Sequence, residues 1–490
     1  MIAIEGVTKA YAGITALADV GFSIAAGEAV CLAGENGSGK STLIKILAGV
    51  EQPNAGTIRF SGEPAGTLNP RRSAAAGIMV IFQDFSLFPN LSVAENIGFS
   101  AELATERRLV NRGRVRKLAA EMLKRLGVEI DLDVLVETLP VAHKQLVAIC
   151  RALACDARLI IMDEPTTALT EREVRILLGI IRRLKADGVA VLFVSHKLAE
   201  VLEVCEKVVV LRNGRKVAEG PATEFDAASL THHMTGRDVA EEPPPPVDPA
   251  APVLMQVRSL AKAGSFDAVS FDLRAGEVLG ISGLLGSGRT ALAKALFGLA
   301  APDQGSVTVA SKAVALGDPL AAAACGIAYV PEDRLTEGLF LTQSILRNVG
   351  IGRLEAHCRG GMLDLAGLWG EATDWLRKLT VKTASVEAPV RSLSGGNQQR
   401  VVLARWLATA PRVLVLNGPS VGVDVGSKSD IHGIIRDLSQ TGLGVIVISD
   451  DLPELLATCH RILVMKAGRI TDEIAGADIT AEDLAHRLAS

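Results

Sequence analysis

The sequence GEAVCLAGENGSGKSTLIKILAG, at residues 27–49, decides the fold. A short apolar run is followed by a glycine-rich turn and then by the apolar spacing of an amphipathic helix. Residues 34–41, GENGSGKS, fit the pattern GxxxxGK[ST] between a strand and a helix, which is the context of a P-loop. In such a loop, glycines let backbone N–H groups converge on phosphate oxygens, and the helix N-terminus adds positive potential. The sequence therefore predicts a phosphate-binding loop.

The same loop supplies candidate side chains for ATP and Mg²⁺. We expect Lys40 to reach the β- and γ-phosphates of ATP, and the hydroxyl of Ser41 to bind Mg²⁺. The predicted ATP-binding residues of this segment are Gly34, Glu35, Asn36, Gly37, Ser38, Gly39, Lys40, Ser41 and Thr42.

An acidic pair follows a second apolar run. Residues 158–162 and 189–194 are predicted to be continuous buried strands, the pattern of a parallel sheet covered on both faces. The first stretch leads directly into Asp163 and Glu164. An aspartate at the end of a strand beside a P-loop is placed to hold Mg²⁺ through water, so we assign Asp163 to the metal. Glu164 is then the candidate base for the attacking water.

The sequence repeats this design once. Residues 276–298 read GEVLGISGLLGSGRTALAKALFG, again a strand, a glycine-rich turn and a helix. Later landmarks recur in the same order in both halves: Gln83 with Glu332, Leu139 with Leu393, Asp163 with Asn417, and His196 with Asp450. This order indicates a duplicated domain. The predicted fold class is α/β, with two domains in tandem.

A proline-rich segment separates the two copies. Residues 241–252 read EEPPPPVDPAAP, and their prolines favour an extended polyproline II linker. We therefore predict domains at 1–240 and 253–490, joined by a linker at 241–252.

Length and charge restrict the function. A chain of 490 residues is too long for one core. Its net charge of −4 argues against a nucleic-acid binder, which needs a basic face. No apolar run reaches the roughly 18–20 residues that span a bilayer, and the N-terminus does not resemble a signal peptide. We therefore expect the chain to stay in the cytoplasm, so that any contact with a membrane is made through partner proteins.

These motifs together resemble the ABC ATPase family. The P-loop, Gln83 after a strand, the pair Asp163 and Glu164, and His196 after a strand occur in the family's order. Residues 393–400, LSGGNQQR, are similar to its signature motif. The resemblance implies that Gln83 senses Mg²⁺ and the membrane subunit, that His196 contacts the γ-phosphate as part of the catalytic set with Lys40 and Glu164, and that Tyr11 stacks on adenine. It further implies a mixed sheet with a helical subdomain in each domain, and ATP contacts from the signature residues Ser394, Gly395, Gly396, Asn397 and Gln398.

Three further stretches narrow the resemblance. Residues 286–290 (GSGRT), 330–334 (VPEDR) and 422–426 (GVDVG) look like the second cassette of twin-cassette ATPases that power bacterial monosaccharide importers of the ribose and galactose type. This implies two transmembrane permease subunits, a periplasmic solute-binding protein, no nucleic acid, and a peripheral position on the cytoplasmic face of the inner membrane. Pentoses, hexoses and polyols remain open as solutes.

The two halves differ where hydrolysis would occur. Family cassettes pair head to tail, so that each ATP lies between the P-loop of one half and the signature of the other. The second half replaces catalytic residues with Arg289, Asn417, Gly418 and Asp450, and the first half begins its signature with Leu139 and Pro140. Both defects fall on one composite site, so we predict one hydrolytic site. The other site either binds ATP without turnover or is an empty structural remnant.

A twin-cassette ABC ATPase acting on ribosomes or DNA is expected to carry basic linkers and two intact sites, whereas this linker is acidic and one site is damaged. A regulatory protein that binds ATP without hydrolysing it would be expected to lack catalytic residues in the first site. The motifs of the first site are intact in this sequence. The importer subunit is therefore favoured.

Overall fold

The computed structural model describes residues 1–490 except 12, 83–84, 104–109, 167–168, 196, 238–243, 245, 285, 476–479 and 490. The chain divides into two compact units, Met1–Val239 and Ala240–Ser490.

The first unit contains two sheets and their helices. Its strands are β1 (Ile2–Tyr11), β2 (Ile14–Ile24), β3 (Ala29–Ala33), β4 (Ala55–Phe60), β5 (Glu63–Pro64), β6 (Ile78–Ile81), β7 (Leu159–Asp163), β8 (Ala190–Val194), β9 (Lys207–Arg212) and β10 (Arg215–Pro221). Its helices are α1 (Lys40–Leu47), α2 (Pro70–Ala75), α3 (Val93–Leu103), α4 (Arg112–Leu126), α5 (Val141–Ala154), α6 (Glu171–Ala186), α7 (Leu198–Val204) and α8 (Ala227–Thr235).

The larger sheet of this unit positions the phosphate loop. Its strand order is β10-β9-β3-β8-β7-β6, parallel except for β10. Every residue of β3 and β8 is buried, because helices cover both faces of a parallel sheet. The two predicted strands are present with slightly different bounds, 159–163 and 190–194. The smaller sheet, β2-β1-β4-β5, is antiparallel.

Strand register brings the two sequence motifs to one edge of this sheet. Val194 is level with Leu32 on one side and with Asp163 on the other. The carboxyl ends of β3 and β7 therefore lie at the same edge, with β8 between them. The loop after β3 and the acidic pair after β7 consequently occupy the same end of the unit.

Helices α3, α4 and α5 pack together as a helical subdomain. Gly98 lets α3 approach α4 closely, since a Cβ there would lie 2.9 Å from the backbone oxygen of Val115. Arg151 of α5 donates hydrogen bonds to the backbone oxygens of Phe85 and Ser86, at 3.0 and 2.7 Å. The subdomain is thereby tied to the segment that follows β6.

The second unit repeats this organisation. Its strands are β11 (Val253–Lys262), β12 (Phe266–Arg274), β13 (Val278–Ser282), β14 (Gln304–Val309), β15 (Lys312–Ala313), β16 (Ile327–Val330), β17 (Cys358–Arg359), β18 (Met362–Leu363), β19 (Val413–Asn417), β20 (Gly444–Ile448), β21 (Arg461–Lys466) and β22 (Arg469–Ala475). Its helices are α9 (Arg289–Leu296), α10 (Pro319–Ala324), α11 (Ile345–Gly350), α12 (Leu365–Lys378), α13 (Gly395–Leu407), α14 (Val425–Gln440), α15 (Leu452–Thr458) and α16 (Ala481–Ala489).

Two sheets of the second unit, β12-β11-β14-β15 and β16-β19-β20-β13-β21-β22, correspond strand for strand to those of the first, and β17 and β18 form a third, two-stranded antiparallel sheet. Helices α11, α12 and α13 form its helical subdomain. The predicted α/β class, with a mixed sheet and a helical subdomain in each of two copies, is confirmed.

The proline-rich segment does not stay extended to its end. Ala251 donates its backbone N–H to the oxygen of Asp248 at 2.9 Å, and Ala250 donates to the Asp248 side chain at 2.8 Å. The chain therefore turns at residues 248–251, and the polyproline II form expected over 241–252 is wrong for this part. The bounds of the linker and the two domains stay a prediction, because most of residues 238–245 lie outside the described part.

No helix in the described part of the chain is long and apolar enough to cross a membrane.

Candidate functional site

The phosphate loop of the first unit joins β3 to α1. Gly34, Gly37 and Gly39 have φ values of 152°, 83° and 106°, which L side chains rarely adopt. A Cβ on Gly34 would lie 2.4 Å from the backbone oxygen of Leu211. The glycines recognised in the sequence are thus required by both the backbone conformation and the space around it, and Glu35 and Asn36 complete the turn.

Lys40 begins α1 and is buried. Its Nζ donates hydrogen bonds to the backbone oxygens of Gly34 and Glu35, at 2.5 and 2.9 Å. The ammonium group therefore lies against the loop, so that its positive charge is next to the place where a phosphate would bind.

The loop fits a nucleotide phosphate with a divalent cation. Ser38 is 4% exposed, and its Oγ has no hydrogen-bond partner among the described residues, so a donor is left beneath the loop. Ser41 is exposed and Thr42 half-buried in the first turn of α1, which leaves the Ser41 hydroxyl accessible to a ligand. Hydroxyl and carboxylate oxygens are the donors that Mg²⁺ prefers.

Asp163 ends β7 and is half-buried. Burial, together with the neighbouring charge of Glu164, raises the pKa of the Asp163 carboxyl, while the charge of Lys40 acts in the opposite direction. The three groups therefore influence one another electrostatically at the same sheet edge. A cation bound here would offset the cost of ionising Asp163.

Glu164 follows Asp163 in the left-handed conformation, with a φ of 48°. Its backbone N–H donates to the oxygen of Val194 at 3.2 Å, which ties the turn to the end of β8. The carboxylate is half-buried and stands beside the acidic end of β7, where a base for a water molecule is expected.

Glu200, which no sequence motif singled out, organises this edge of the sheet. Glu200 is 7% exposed and accepts hydrogen bonds from the hydroxyls of Thr166 and Ser195, at 2.8 and 3.3 Å. It therefore connects the turns that follow β7 and β8. A signal was available, because Ser449 and Glu454 recur with the same spacing in the second half and are joined at 2.6 Å.

Two predicted residues, Gln83 and His196, lie outside the described residues. Tyr11 is the last residue of β1 and is 39% exposed, with Lys9 Nζ 5.0 Å from its ring centroid. A partly exposed ring can stack on a base. The roles of all three residues stay predictions.

The signature residues of the second unit form the N-terminus of α13. Ser394 is the N-cap residue, yet its side chain caps no backbone N–H. Its Oγ instead accepts a hydrogen bond from Asn397 Nδ2 at 3.0 Å, so that the hydroxyl can still donate to a ligand. A Cβ on Gly395 would lie 2.7 Å from the oxygen of Gly422, and one on Gly396 would lie 2.2 Å from Ser427 Oγ. Both positions therefore require glycine.

The side chains of Asn397 and Gln398 form hydrogen bonds with backbone groups near the signature turn. Asn397 Oδ1 accepts a hydrogen bond from the N–H of Lys382 at 2.8 Å, and Gln398 Nε2 donates to the oxygen of Leu393 at 3.2 Å. Their side chains thus hold the turn in place, and direct ATP contact by them stays a prediction.

The corresponding helix of the first unit, α5, begins differently. Pro140 is its N-cap residue, and it provides no side-chain cap. Val141 and Ala142 stand where the second unit has glycines. This helix N-terminus therefore offers no hydroxyl and less room for a ligand.

Arg289, which follows the phosphate loop of the second unit, forms an ion pair. Arg289 is buried, and its guanidinium donates to the oxygen of Gly283 at 2.8 Å and pairs with Asp450 at 3.0 Å. Asn417 ends β19 in place of an aspartate and is 2% exposed. Gly418 follows it, with no side chain to act as a base.

Comparisons with known proteins agree with this geometry. The ABC transporter family matches residues 17–167 and 266–421. A ribose import ATP-binding protein of Streptomyces avermitilis is 43% identical over 99% of this chain and 96% of its own length. One from Streptomyces coelicolor is 43% identical over 98% of this chain and 95% of its own. A protein of Pseudomonas syringae pv. syringae, named for ribose/galactose/methyl galactoside import, is 41% identical over 99% and 93%.

Among solved structures, an archaeal ribosome recycling factor in complex with a ribosomal stalk protein covers 99% of this chain and 92% of its own, with a TM-score of 0.65 and 22% identity. That likeness shows the fold alone. The family match to both units and the full-length relatives place this chain in the ABC transporter family, as an ABC-type ATPase with two cassettes.

Proposed function

We propose that this chain is the ATP-hydrolysing subunit of an ABC importer that takes up a monosaccharide or a polyol. The observation that supports the proposal is the phosphate loop of the first unit, with Lys40, Asp163 and Glu164 at one sheet edge. The solute class comes from the relatives, which are named for ribose and galactose import.

The proposed partners follow from the same names. An import ATP-binding protein needs membrane permease subunits, two of them in this family, and a solute-binding protein outside the membrane. We place the chain at the cytoplasmic face of the membrane, attached through the permeases. The solute itself is selected by those partners.

The residues of the first site have separate roles in binding ATP, holding Mg²⁺ and activating water. Lys40 and the backbone N–H groups of the loop bind and orient the phosphates, and Ser41, Asp163 and Gln83 would hold Mg²⁺. Mg²⁺, when bound, supplies charge neutralisation at the β- and γ-phosphates. Glu164 takes the proton of the attacking water, and His196 contacts the γ-phosphate. Lys40 requires no large movement, because it already lies on the loop.

We further propose that the two units pair head to tail, so that Ser394 and its helix N-terminus complete the site built on Lys40. Hydrolysis then occurs at one site only. The site built on Arg289 lacks the base, because Gly418 stands at the position of Glu164, and it would face Pro140 in place of a serine.

The alternative, a twin-cassette ATPase acting on ribosomes, is supported only by a shared fold at 22% identity. Relatives at 41–43% identity over nearly the whole chain carry import names. The importer is therefore favoured.

An uptake assay tests the proposal. In a strain lacking this gene, uptake of a panel of labelled pentoses, hexoses and polyols is measured after complementation with wild type, Lys40→Ala, Glu164→Gln or Glu129→Gln. We expect uptake of at least one solute to require the gene and to be restored by wild type and by Glu129→Gln, since Glu129 is an exposed carboxylate. Lys40→Ala should not restore uptake, because it removes the positive charge that binds the phosphates. Glu164→Gln should not restore it either, because it removes the general base, which typically contributes about 10²–10⁴-fold to the rate. Unchanged uptake of every solute in the deletion strain would contradict the proposal.

A further inference from the structure

The phosphate loop of the second unit keeps the backbone that binds a diphosphate. Gly286 and Gly288 have φ values of 85° and 95°, close to the 83° and 106° of Gly37 and Gly39. Ser287 is 5% exposed, and its Oγ has no hydrogen-bond partner among the described residues. Residues 286–288 therefore have nearly the same backbone conformation as residues 37–39, and the same spare hydroxyl.

A negative charge from outside this loop, that of Asp450, lies beside Arg289, where a third phosphate would bind. Asp450 stands two residues after β20, in the place that His196 has in the first half. Its carboxylate pairs with Arg289 at 3.0 Å, while its side chain is 74% exposed and so accessible to a ligand. A γ-phosphate would have to approach this carboxylate or separate it from Arg289, and like charges brought together disfavour binding.

The second unit also lacks the groups that favour a triphosphate with its metal. Asn417 supplies no carboxylate, and Gly418 supplies no side chain. The charge that remains at the loop is that of Arg289, already partly neutralised by Asp450. A diphosphate needs mainly the backbone N–H groups and the helix N-terminus, which are retained.

Space for a nucleoside is present beside this loop. A cavity of about 530 Å³ is bordered by Gly264, Ser265, Gly286 and Gly468. Lys262 and Ala263 make the same contacts in the second unit that Lys9 and Ala10 make in the first, which places Gly264 at the position of Tyr11. The cavity can therefore admit a base but offers it no stacking ring at that position.

We infer that the second phosphate loop is a nucleoside diphosphate site that discriminates against nucleoside triphosphates through Asp450. The inference rests on the proposed function only in expecting a nucleotide at this loop. It requires neither hydrolysis nor a particular solute.

Hydrogen exchange of the full chain, read at peptides covering residues 34–47 and 283–296, separates the two loops. The Glu164→Gln background is used so that ATP is not consumed, and ADP and ATP are titrated with Mg²⁺. We expect ADP to protect the second loop at a concentration at least about tenfold lower than ATP does. The first loop should be protected by ATP at least as well as by ADP.

Adding Asp450→Asn keeps the size of the side chain and removes its charge. The ATP concentration that half-protects the second loop should then fall at least about fivefold, with ADP changed less than about twofold. Asp437→Asn, an exposed aspartate on α14, is the matched control and should change neither.

Equal protection of the second loop by ATP and ADP would overturn the inference, as would no protection by either nucleotide up to millimolar concentrations. A first loop that ATP does not protect would instead contradict the proposed function, so that the two failures are distinguishable.

Discussion

Glu164 and Gly418 occupy the same turn in the two units. Their φ values are 48° and 62°, and each donates its N–H to the end of the neighbouring strand, at 3.2 Å to Val194 and 2.8 Å to Ile448. For an L-residue this left-handed conformation costs about 1–2 kcal/mol, whereas glycine adopts it freely. The first unit therefore keeps a residue that its backbone does not favour, which is consistent with a carboxylate that is needed for chemistry.

Ionised Asp163 is also disfavoured in the folded protein, and the sign of this effect on stability can be tested. Because burial and Glu164 raise the pKa of the Asp163 carboxyl, ionisation is less favourable in the folded than in the unfolded protein. The penalty is absent below the unfolded pKa, where both states are protonated, and it is fully present above the folded pKa. Asp163→Asn should therefore raise the unfolding temperature at pH 7 and abolish ATP hydrolysis.

Thermal unfolding at a series of pH values checks this expectation. The gain of Asp163→Asn over wild type should shrink as the pH falls through the folded pKa of Asp163, and the exposed variant Asp437→Asn is measured in parallel as the control. An Asp163→Asn protein that is no more stable than wild type at pH 7 would show that ionised Asp163 is not destabilising.

At this scale, residue type and spacing predicted the phosphate loop well, because its backbone accepts only glycine at Gly34 and Gly39. They could not predict that Arg289 pairs with Asp450, since the two residues lie far apart in the chain and no local pattern joins them.

Helices α5 and α13 occupy equivalent positions in the two units but begin with different residues. Both follow a short 3₁₀ turn and pack in a helical subdomain, but α13 starts from Ser394 with two glycines and α5 starts from Pro140 with a valine and an alanine. The helices themselves could be predicted from their apolar spacing. The hydrogen bond between Asn397 and Ser394 that leaves the hydroxyl free to donate needed the coordinates.

Ser394→Ala tests the signature helix. Under the proposed pairing, the Ser394 hydroxyl donates to the γ-phosphate held by Lys40. Loss of one such donor lowers turnover by about 10²–10³-fold in comparable sites. Pro140→Ala is the matched control at the N-cap of α5 and should change the ATPase rate less than about twofold, because Pro140 offers no donor to lose. Equal losses in the two variants would contradict a single hydrolytic site.

Strand positions were predicted to within one residue because β7 and β8 are continuous apolar runs in a buried sheet. The turn at residues 248–251 was not predicted. The proline content of this segment favours an extended chain. The side chain of Asp248, however, accepts a hydrogen bond from the backbone N–H two residues further on, which favours a turn. Composition alone does not show which of the two effects is stronger.

On the scale of the whole molecule, duplication made the architecture predictable. Each landmark of the first half has a counterpart in the second, and the two sets of sheets have matching strand orders. Among the described residues, the units differ in the β17-β18 sheet of the second unit and at the phosphate loops, where Arg289 of the second unit pairs with Asp450. The two units therefore share a fold but present different side chains at their phosphate loops.

Rebuilding the second site tests how far that divergence can be reversed. The triple variant Asn417→Asp, Gly418→Glu and Asp450→His restores a metal anchor, a base and a histidine. A Cβ on Gly418 would lie 2.9 Å from Val421 Cγ2 and 3.1 Å from Glu332 Cγ, and Asp450→His removes the partner of Arg289. Under the proposed pairing, Pro140 also remains opposite this site and offers no hydroxyl. Groups that act as a catalytic unit are strongly non-additive, so a partial repair contributes little.

We therefore expect no ATP turnover from the triple variant when it is measured in the Glu164→Gln background, which silences the first site. Adding Pro140→Ser and Ala142→Gly is the minimum for any gain, with Arg289→Lys as a further step. Phosphate release is the measurement, and a thermal unfolding curve for each protein shows that it is folded. Substantial turnover by the triple variant with Pro140 retained would mean that the helix N-terminus of α5 serves hydrolysis as it stands, and that the defects of the two halves do not fall on one site.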